Sequence, residues 1–280
     1  MPATIGVFDS GFGGLTVLRE LLPLLPDANY LYLGDTARLP YGSKSRETIV
    51  RYALSSALFL VEQGAELLVV ACNTATALAL DELRHALPIP VVGVIQPGAE
   101  AAARQSPGGD VLVLATEATV QSHAYARACE MLGLQATEKA CPLLVPLVEE
   151  GWIGCEHAAE ASVTAEVLSI YLGEALHAAP ASKTLLLGCT HYPLLRPAIE
   201  DTLRLLGHPL HIIDSARATA RSVIEIVQGE RITGEAEKMK KGKEPACQFF
   251  ATDSVAKFER LGSQFLGRAV RGVRLVDLGG

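Results

Sequence analysis

Leu67-Leu68-Val69-Val70-Ala71-Cys72-Asn73-Thr74 and Thr184-Leu185-Leu186-Leu187-Gly188-Cys189-Thr190-His191-Tyr192-Pro193 are two apolar runs of strand length, each ending in a small residue and then a cysteine. Apolar strands without alternation belong to parallel sheets covered on both faces. Polar and hydroxyl residues follow each cysteine at once. In open α/β sheets ligands bind beyond the carboxyl ends of strands, so each run presents a thiol at the mouth of a site. Two such strands suggest two thiols facing one substrate.

Outward from these runs the chain keeps alternating. Strands are predicted over Thr4–Asp9, Tyr30–Gly34, Leu67–Ala71, Val91–Ile95, Val111–Ala115, Thr184–Gly188, His211–Asp214 and Cys247–Thr252. Segments of helical period lie between them: Gly14–Leu25, Ser45–Gln63, Ala75–Ala86, Val120–Leu132, Glu156–His177, Pro193–Leu206 and Ala216–Val227. The pattern predicts an α/β protein of two similar lobes, each a mostly parallel sheet flanked by helices. A loose repeat supports the pairing. Ile5–Ser10 opens the first half and Val111–Thr116 the second; Asp9 and Cys72 are 63 residues apart, Thr116 and Cys189 73. Periodicity leaves the strands from His211 onward open between the lobes. The division adopted puts 1–95 with 212–280 in a lobe carrying Cys72, and 96–211 in a lobe carrying Cys189.

The chain has 280 residues, 49% hydrophobic and 20% charged, enough for one large or two ordinary domains with a substantial core. A net charge of −7 argues against general affinity for nucleic acid or an anionic membrane, though not against a small anionic substrate. None of the six cysteines forms a C-x-x-C pair or has zinc-ligand spacing with a histidine. With no basic-apolar leader and no run of 18 apolar residues, the expectation is a reduced, cytoplasmic enzyme. The lysines of Glu235–Glu244 read as a solvated loop or helix end. None of the eight lysines lies in a strand-end cluster suited to a Schiff base with pyridoxal phosphate, and no cofactor is expected.

Asp9-Ser10-Gly11-Phe12-Gly13-Gly14 follows the first strand and opens a helix. It has neither Rossmann nor P-loop spacing. It reads either as a plain turn capped by Asp9 or Ser10, or as an anion site with Asp9 facing a cationic group. Asp35-Thr36-Ala37-Arg38-Leu39-Pro40-Tyr41-Gly42 is a shaped turn in which Tyr41 could close over a pocket and donate a hydrogen bond. A lone strand-end cysteine is usually a small buried hydrophobe. Two of them, each with threonine close behind, favour chemistry. A thiol pKa of about 8.5 leaves little thiolate near neutral pH, and a helix N-terminus or His191 would raise that fraction. Ser10, Asn73, Thr74, Thr116, Thr119 and Thr190 are candidates to hold a substrate carboxylate. Cys129, Cys141 and Cys155 read as structural, and Glu149 as a solvated or capping carboxylate with a site role left open.

Taken together, Phe8–Gly14, Pro40-Tyr41-Gly42, Ala71-Cys72-Asn73-Thr74-Ala75-Thr76, Cys141-Pro142 through Glu149, and Gly188-Cys189-Thr190-His191-Tyr192-Pro193 resemble the glutamate racemase family, within the cofactor-independent aspartate/glutamate racemase superfamily. Phe249–Leu266 resembles the family's C-terminal segment. The resemblance implies an active site in the cleft between two lobes, and Cys72 and Cys189 as paired bases supported by Asp9, His191 and Glu149. It implies substrate contacts from Asp9, Ser10, Tyr41, Gly42, Asn73, Thr74, Thr116, Thr190 and His191. It further implies interconversion of L- and D-glutamate, supplying D-glutamate for peptidoglycan synthesis and so for cell-wall biogenesis and cell shape, in a cytoplasmic homodimer with no metal. An aspartate racemase of the same superfamily is the alternative. One position departs from the family pattern: Ala115 stands where glycine precedes the threonine, which narrows the pocket floor at Thr116.

Overall fold

The computed structural model describes residues 3–153, 158–231 and 245–279, so Cys155 and the Glu235–Glu244 lysine run lie outside the described residues. The chain forms two compact units, Met1–Val94 with Ala216–Gly280, and Ile95–Ser215. The first begins β1 (Thr4–Asp9), α1 (Leu15–Leu21), β2 (Asn29–Gly34), α2 (Arg46–Glu62), β3 (Leu67–Val70), α3 (Asn73–Ala86) and β4 (Val91–Gly93). The second holds α4 (Ile95–Gln105), β5 (Asp110–Ala115), α5 (Glu117–Gln121), α6 (Ala124–Glu130), β6 (Gln135–Ala140), α7 (Leu144–Glu149), α8 (Ala158–Ala178), β7 (Thr184–Gly188), α9 (Arg196–Leu205) and β8 (His211–Asp214). The chain then returns to the first unit through α10 (Ser215–Arg231), β9 (Cys247–Ala251), α11 (Val255–Leu266) and β10 (Arg274–Leu275).

Both sheets are parallel throughout. The first has the order β10-β9-β2-β1-β3-β4 and the second β6-β5-β7-β8. The central strands are buried along nearly their whole length, as their unbroken apolar runs require. In the first unit α2 turns Ile49, Ala53, Ala57 and Leu60 inward, the spacing of one helical face, and starts at Ser45, whose side chain accepts from the Thr48 N–H. On α11 the apolar face carries Phe258, Leu261, Phe265 and Leu266; Phe258 packs against Phe12 and Tyr32 with ring centroids 5.8 and 5.9 Å apart.

The four-strand pattern β2-β1-β3-β4 recurs as β6-β5-β7-β8. In each, the chain leaves its first strand to one side, then crosses back to the other. The reversal falls between β1 and β3 in the first unit and between β5 and β7 in the second, the topological switch point where open α/β sheets bind ligands. Cys72 and Cys189 each lie just past the second strand of that pair.

Several predicted boundaries move. Because β8 pairs with β7, residues 212–215 belong with the second unit, and not with the first, where the division at 211 and 212 put them. The strand predicted over Val91–Ile95 ends at Gly93, and Ile95 begins α4, an alanine-rich helix with Pro97 in its first turn, where the missing N–H costs nothing. The predicted Val120–Leu132 helix divides into α5 and α6 at His123, whose φ is +53°. Strand β6 was not predicted at all: Gln135-Ala136-Thr137-Glu138-Lys139-Ala140 is a half-exposed edge strand with no apolar run.

Candidate functional site

In the first unit, β1 delivers Asp9 to the carboxyl edge of the sheet, where it is 1% exposed. The chain turns at once, and the Gly11 N–H donates to Asp9 Oδ2 at 2.8 Å. The start of α1 lies so close that a Cβ on Gly14 would sit 2.6 Å from Asp9 Cβ and 2.9 Å from Ala71 Cβ. Glycine at 14 is therefore a steric requirement, and it fixes where the carboxylate stands.

One strand over, Cys72 caps α3. Its Sγ accepts from the Ala75 N–H at 3.4 Å and lies 3.4 Å from Ser10 Oγ, to which the thiol donates. The pairing explains the contact: Phe8 is level with Val70, so Ser10 falls level with Cys72. Burial pushes the Cys72 thiol up to about 11, and the Asp9 carboxylate adds to the rise, while hydrogen bonds at Ser10 and Ala75 oppose it. Asn73 and Thr74 form the first turn of α3, both 3% exposed.

Tyr41 and Gly42 lie in a short 3₁₀ turn, Tyr41–Ser43, in the same unit. The Tyr41 ring is buried in the core cluster that contains Cys72. Its hydroxyl does not point outward as a lid would; it donates to Asp35 Oδ2 at 2.5 Å.

In the second unit, β7 ends at Gly188, where a Cβ would meet Tyr125 Cε2 at 2.8 Å and the Leu114 carbonyl oxygen at 2.9 Å. Cys189, Thr190 and His191 follow, each less than a tenth exposed. His191 Nδ1 is 4.0 Å from Cys189 Sγ and 3.4 Å from Thr190 Oγ1, and its Nε2 is 3.3 Å from Glu149 Oε1. In the tautomer with Nε2–H donating to the carboxylate, Nδ1 is an acceptor for the Thr190 hydroxyl and for the Cys189 thiol. Glu149 is thus brought against His191. It ends α7, and the Tyr192 hydroxyl, donating to the Cys141 carbonyl at 3.0 Å, ties the loop after β7 to the loop that leads into α7.

Thr116 is level with Cys189, because Ala115 pairs with Gly188. Its Oγ1 lies 2.9 Å from Thr119 Oγ1. By strand register the counterpart of Ser10 is therefore Thr116, and the counterpart of Asp9 is Ala115. The repeat read from sequence, Ile5–Ser10 against Val111–Thr116, has this register. The match exposes an asymmetry: the first cysteine has a carboxylate beside it, and the second an imidazole backed by a carboxylate. Cys129 and Cys141 are fully buried, and burial pushes their thiols up to about 11 and about 12.

A cluster that sequence reasoning missed supports the Tyr41 turn. Asp35, wholly buried, accepts from Arg38 Nε, the Tyr41 hydroxyl and Thr252 Oγ1. An aspartate just past a strand end, three residues before an arginine, was a visible hint. Thr252 was not, since it is 217 residues away.

The sequence profile of the Asp/Glu/Hydantoin racemase family matches residues 13–223. Fold and profile together define an isomerase of the amino-acid racemase class. The chain belongs to the Asp/Glu/Hydantoin racemase family. It is similar to the glutamate racemase of Koribacter versatilis, 51% identical over 294 aligned positions covering 99% of this chain and 98% of that one. The glutamate racemase of Geobacter metallireducens is 46% identical, covering 98% and 96% of the two chains. Among solved structures, the glutamate racemase of Francisella tularensis in complex with D-glutamate superposes with a TM-score of 0.85 at 33% identity, covering 99% of this chain and 98% of that one.

Proposed function

We propose that the protein interconverts L- and D-glutamate without a cofactor, with Cys72 and Cys189 acting on opposite faces of one substrate. The observation that carries this reading is the repeated switch point, with a cysteine past β3 and another past β7. Racemisation needs a proton removed from one face of the α-carbon and another delivered to the opposite face. A fixed substrate cannot offer both faces to one base. In the proposed reaction one thiolate takes the α-proton, leaving a carbanion as its S–H bond forms. The opposite thiol then donates its proton to the other face and is left as the thiolate. The next turnover in reverse restores the first state.

The neighbours of each thiol fit that exchange. Asp9, whose charge raises the Cys72 thiol, would meet the substrate ammonium, and its field on Cys72 would be offset when substrate binds. His191 would receive the Cys189 proton or return it, held in place by Glu149. Substrate contacts are assigned to Ser10, Asn73, Thr74, Gly42, Thr116 and Thr190, with Tyr41 contributing through the placement of its turn. The α-proton is far less acidic than a thiol, and each pK unit of mismatch is about 1.36 kcal/mol. Preorganised dipoles around a buried site must supply that difference. The glutamate reading is supported by relatives of that name at 40–51% identity over nearly the whole chain. The product would supply D-glutamate for peptidoglycan synthesis, in the cytoplasm. Among the described residues no helix is long and apolar enough to cross a membrane.

The test is solvent deuterium incorporation at the α-carbon of glutamate, without added cofactor, alongside circular-dichroism assays on glutamate and aspartate. Exchange and racemisation of glutamate are expected. Exchange of neither enantiomer would sink the proposal, and a marked preference for aspartate would transfer it to the sister activity.

A further inference from the structure

The Tyr41–Ser43 turn is held from a place remote in sequence. Thr252, just past the end of β9, uses its hydroxyl twice: Oγ1 donates to Asp35 Oδ1 at 2.9 Å and accepts from the Ala37 N–H at 2.9 Å. Next to it, Thr36 Oγ1 donates to the Asp253 carbonyl at 2.6 Å and accepts from the Asp253 N–H at 2.9 Å. The loop after β2 and the loop after β9 are thus buttoned together by reciprocal bonds, on strands that are themselves paired. Asp35 passes the constraint on. Its Oδ2 accepts from the Tyr41 hydroxyl, and Arg38 Nε lies 2.9 Å from one carboxylate oxygen and 2.8 Å from the other. Arg38 is anchored in turn by Ser55 Oγ at 3.0 Å and by the face of Tyr52, 4.4 Å from the ring centroid. A buried carboxylate with this many charge-assisted and hydroxyl donors is a rigid joint. The group it fixes is the turn that carries Tyr41 and Gly42.

We propose that Thr252 is a positioning residue for the racemase reaction: acting through Asp35, it sets the Tyr41–Gly42 turn against the substrate. The inference rests on the reading of Gly42 as a substrate contact, with Tyr41 placing its turn. A turn that holds a non-reacting part of the substrate contributes binding common to ground and transition states, so its loss appears in KM and leaves kcat nearly intact.

The experiment compares Thr252→Val, which keeps the volume and removes the hydroxyl, with Thr252→Ser, which keeps the hydroxyl and removes the methyl. Steady-state kinetics are measured with each glutamate enantiomer, with thermal unfolding in parallel. Losing hydrogen bonds of ordinary strength predicts a KM about tenfold higher in Thr252→Val, kcat within about threefold of the parent, and KM restored in Thr252→Ser. A folded Thr252→Val with unchanged KM overturns the inference, because a merely structural hydroxyl would move the melting temperature alone. Equal defects in both variants also overturn it, since packing of the methyl would then be responsible. If Thr252→Val does not fold, Tyr41→Phe removes the hydroxyl at the other end of the same carboxylate, and an unchanged KM there counts against the inference equally. A parent protein that fails to racemise glutamate defeats the underlying function reading; a parent that racemises it with indifferent variants defeats this inference alone.

Discussion

Cys72 is held as a thiol by its surroundings. Burial and the neighbouring Asp9 charge outweigh the hydrogen bonds at Ser10 and Ala75, and the thiol is pushed up to about 11. Removing the charge removes a cause of that rise, so Asp9→Asn should lower it and increase the thiolate fraction at a given pH. The expected outcome is a rate–pH profile for alkylation of Cys72, followed by peptide mass mapping, that moves to lower pH in Asp9→Asn. A profile that stays put or moves up would show that Asp9 does not govern this thiol. In the second unit the argument concerns orientation. Glu149→Gln replaces an acceptor with an amide that can also donate, so the imidazole is no longer held with Nδ1 facing Cys189. Racemisation should slow about tenfold to a hundredfold with little change in melting temperature, as measured by circular dichroism on both enantiomers. At this scale the sequence was legible for both thiols and for Asp9, because each stands at the tip of an apolar strand. It was less so for Glu149, whose meeting with His191 depends on α7 packing beside the loop after β7, and not at all for Thr252.

Elements place these residues through close approach. The start of α1 is packed so tightly on the ends of β1 and β3 that position 14 has no room for a methyl group. Gly14→Ala should therefore cost about 1–3 kcal/mol of stability, as overpacked sites do, and should displace Asp9. Urea unfolding combined with the racemisation assay checks it: both the midpoint and the activity should fall, and a variant with normal midpoint and rate would show that α1 yields easily. Elements were legible where burial was complete. The continuous apolar runs of β1, β3, β5 and β7 announce central parallel strands. Strand β6 carries glutamate and lysine on a half-exposed edge, so its pairing with β5 is a tertiary fact without a local signature. The break between α5 and α6 is likewise invisible in a helical pattern, because it is made by the backbone of His123.

At the scale of the whole molecule the two units differ in how the chain supplies them. Ile95–Ser215 is one continuous stretch with its own four-stranded sheet, whereas the first unit is assembled from two stretches. A fragment of residues 95–215 should fold by itself with a cooperative thermal transition followed by circular dichroism. A fragment of residues 1–94 lacks β9 and β10 and should not. A non-cooperative melt of the 95–215 fragment would mean that the second unit depends on the first. The α/β class and the doubled pattern were readable from alternation alone. Where the chain crosses back was not, since His211–Asp214 and Cys247–Ala251 are similar strands in different sheets.

The bonds from Thr252 to Asp35 and Ala37 also bear on timing during synthesis. The turn at Tyr41–Ser43 is made early, but the residue that fastens it follows about two hundred residues later. At roughly 5–20 residues per second a ribosome needs about 10–40 s to cover that distance. Throughout it the edge of β2 that β9 will cover stays open, and the nascent chain carries a complete Cys72 segment without its fastening. Such a chain depends on strands made much later to quench an exposed edge, which makes the interval before β9 emerges a period of exposure to misassociation.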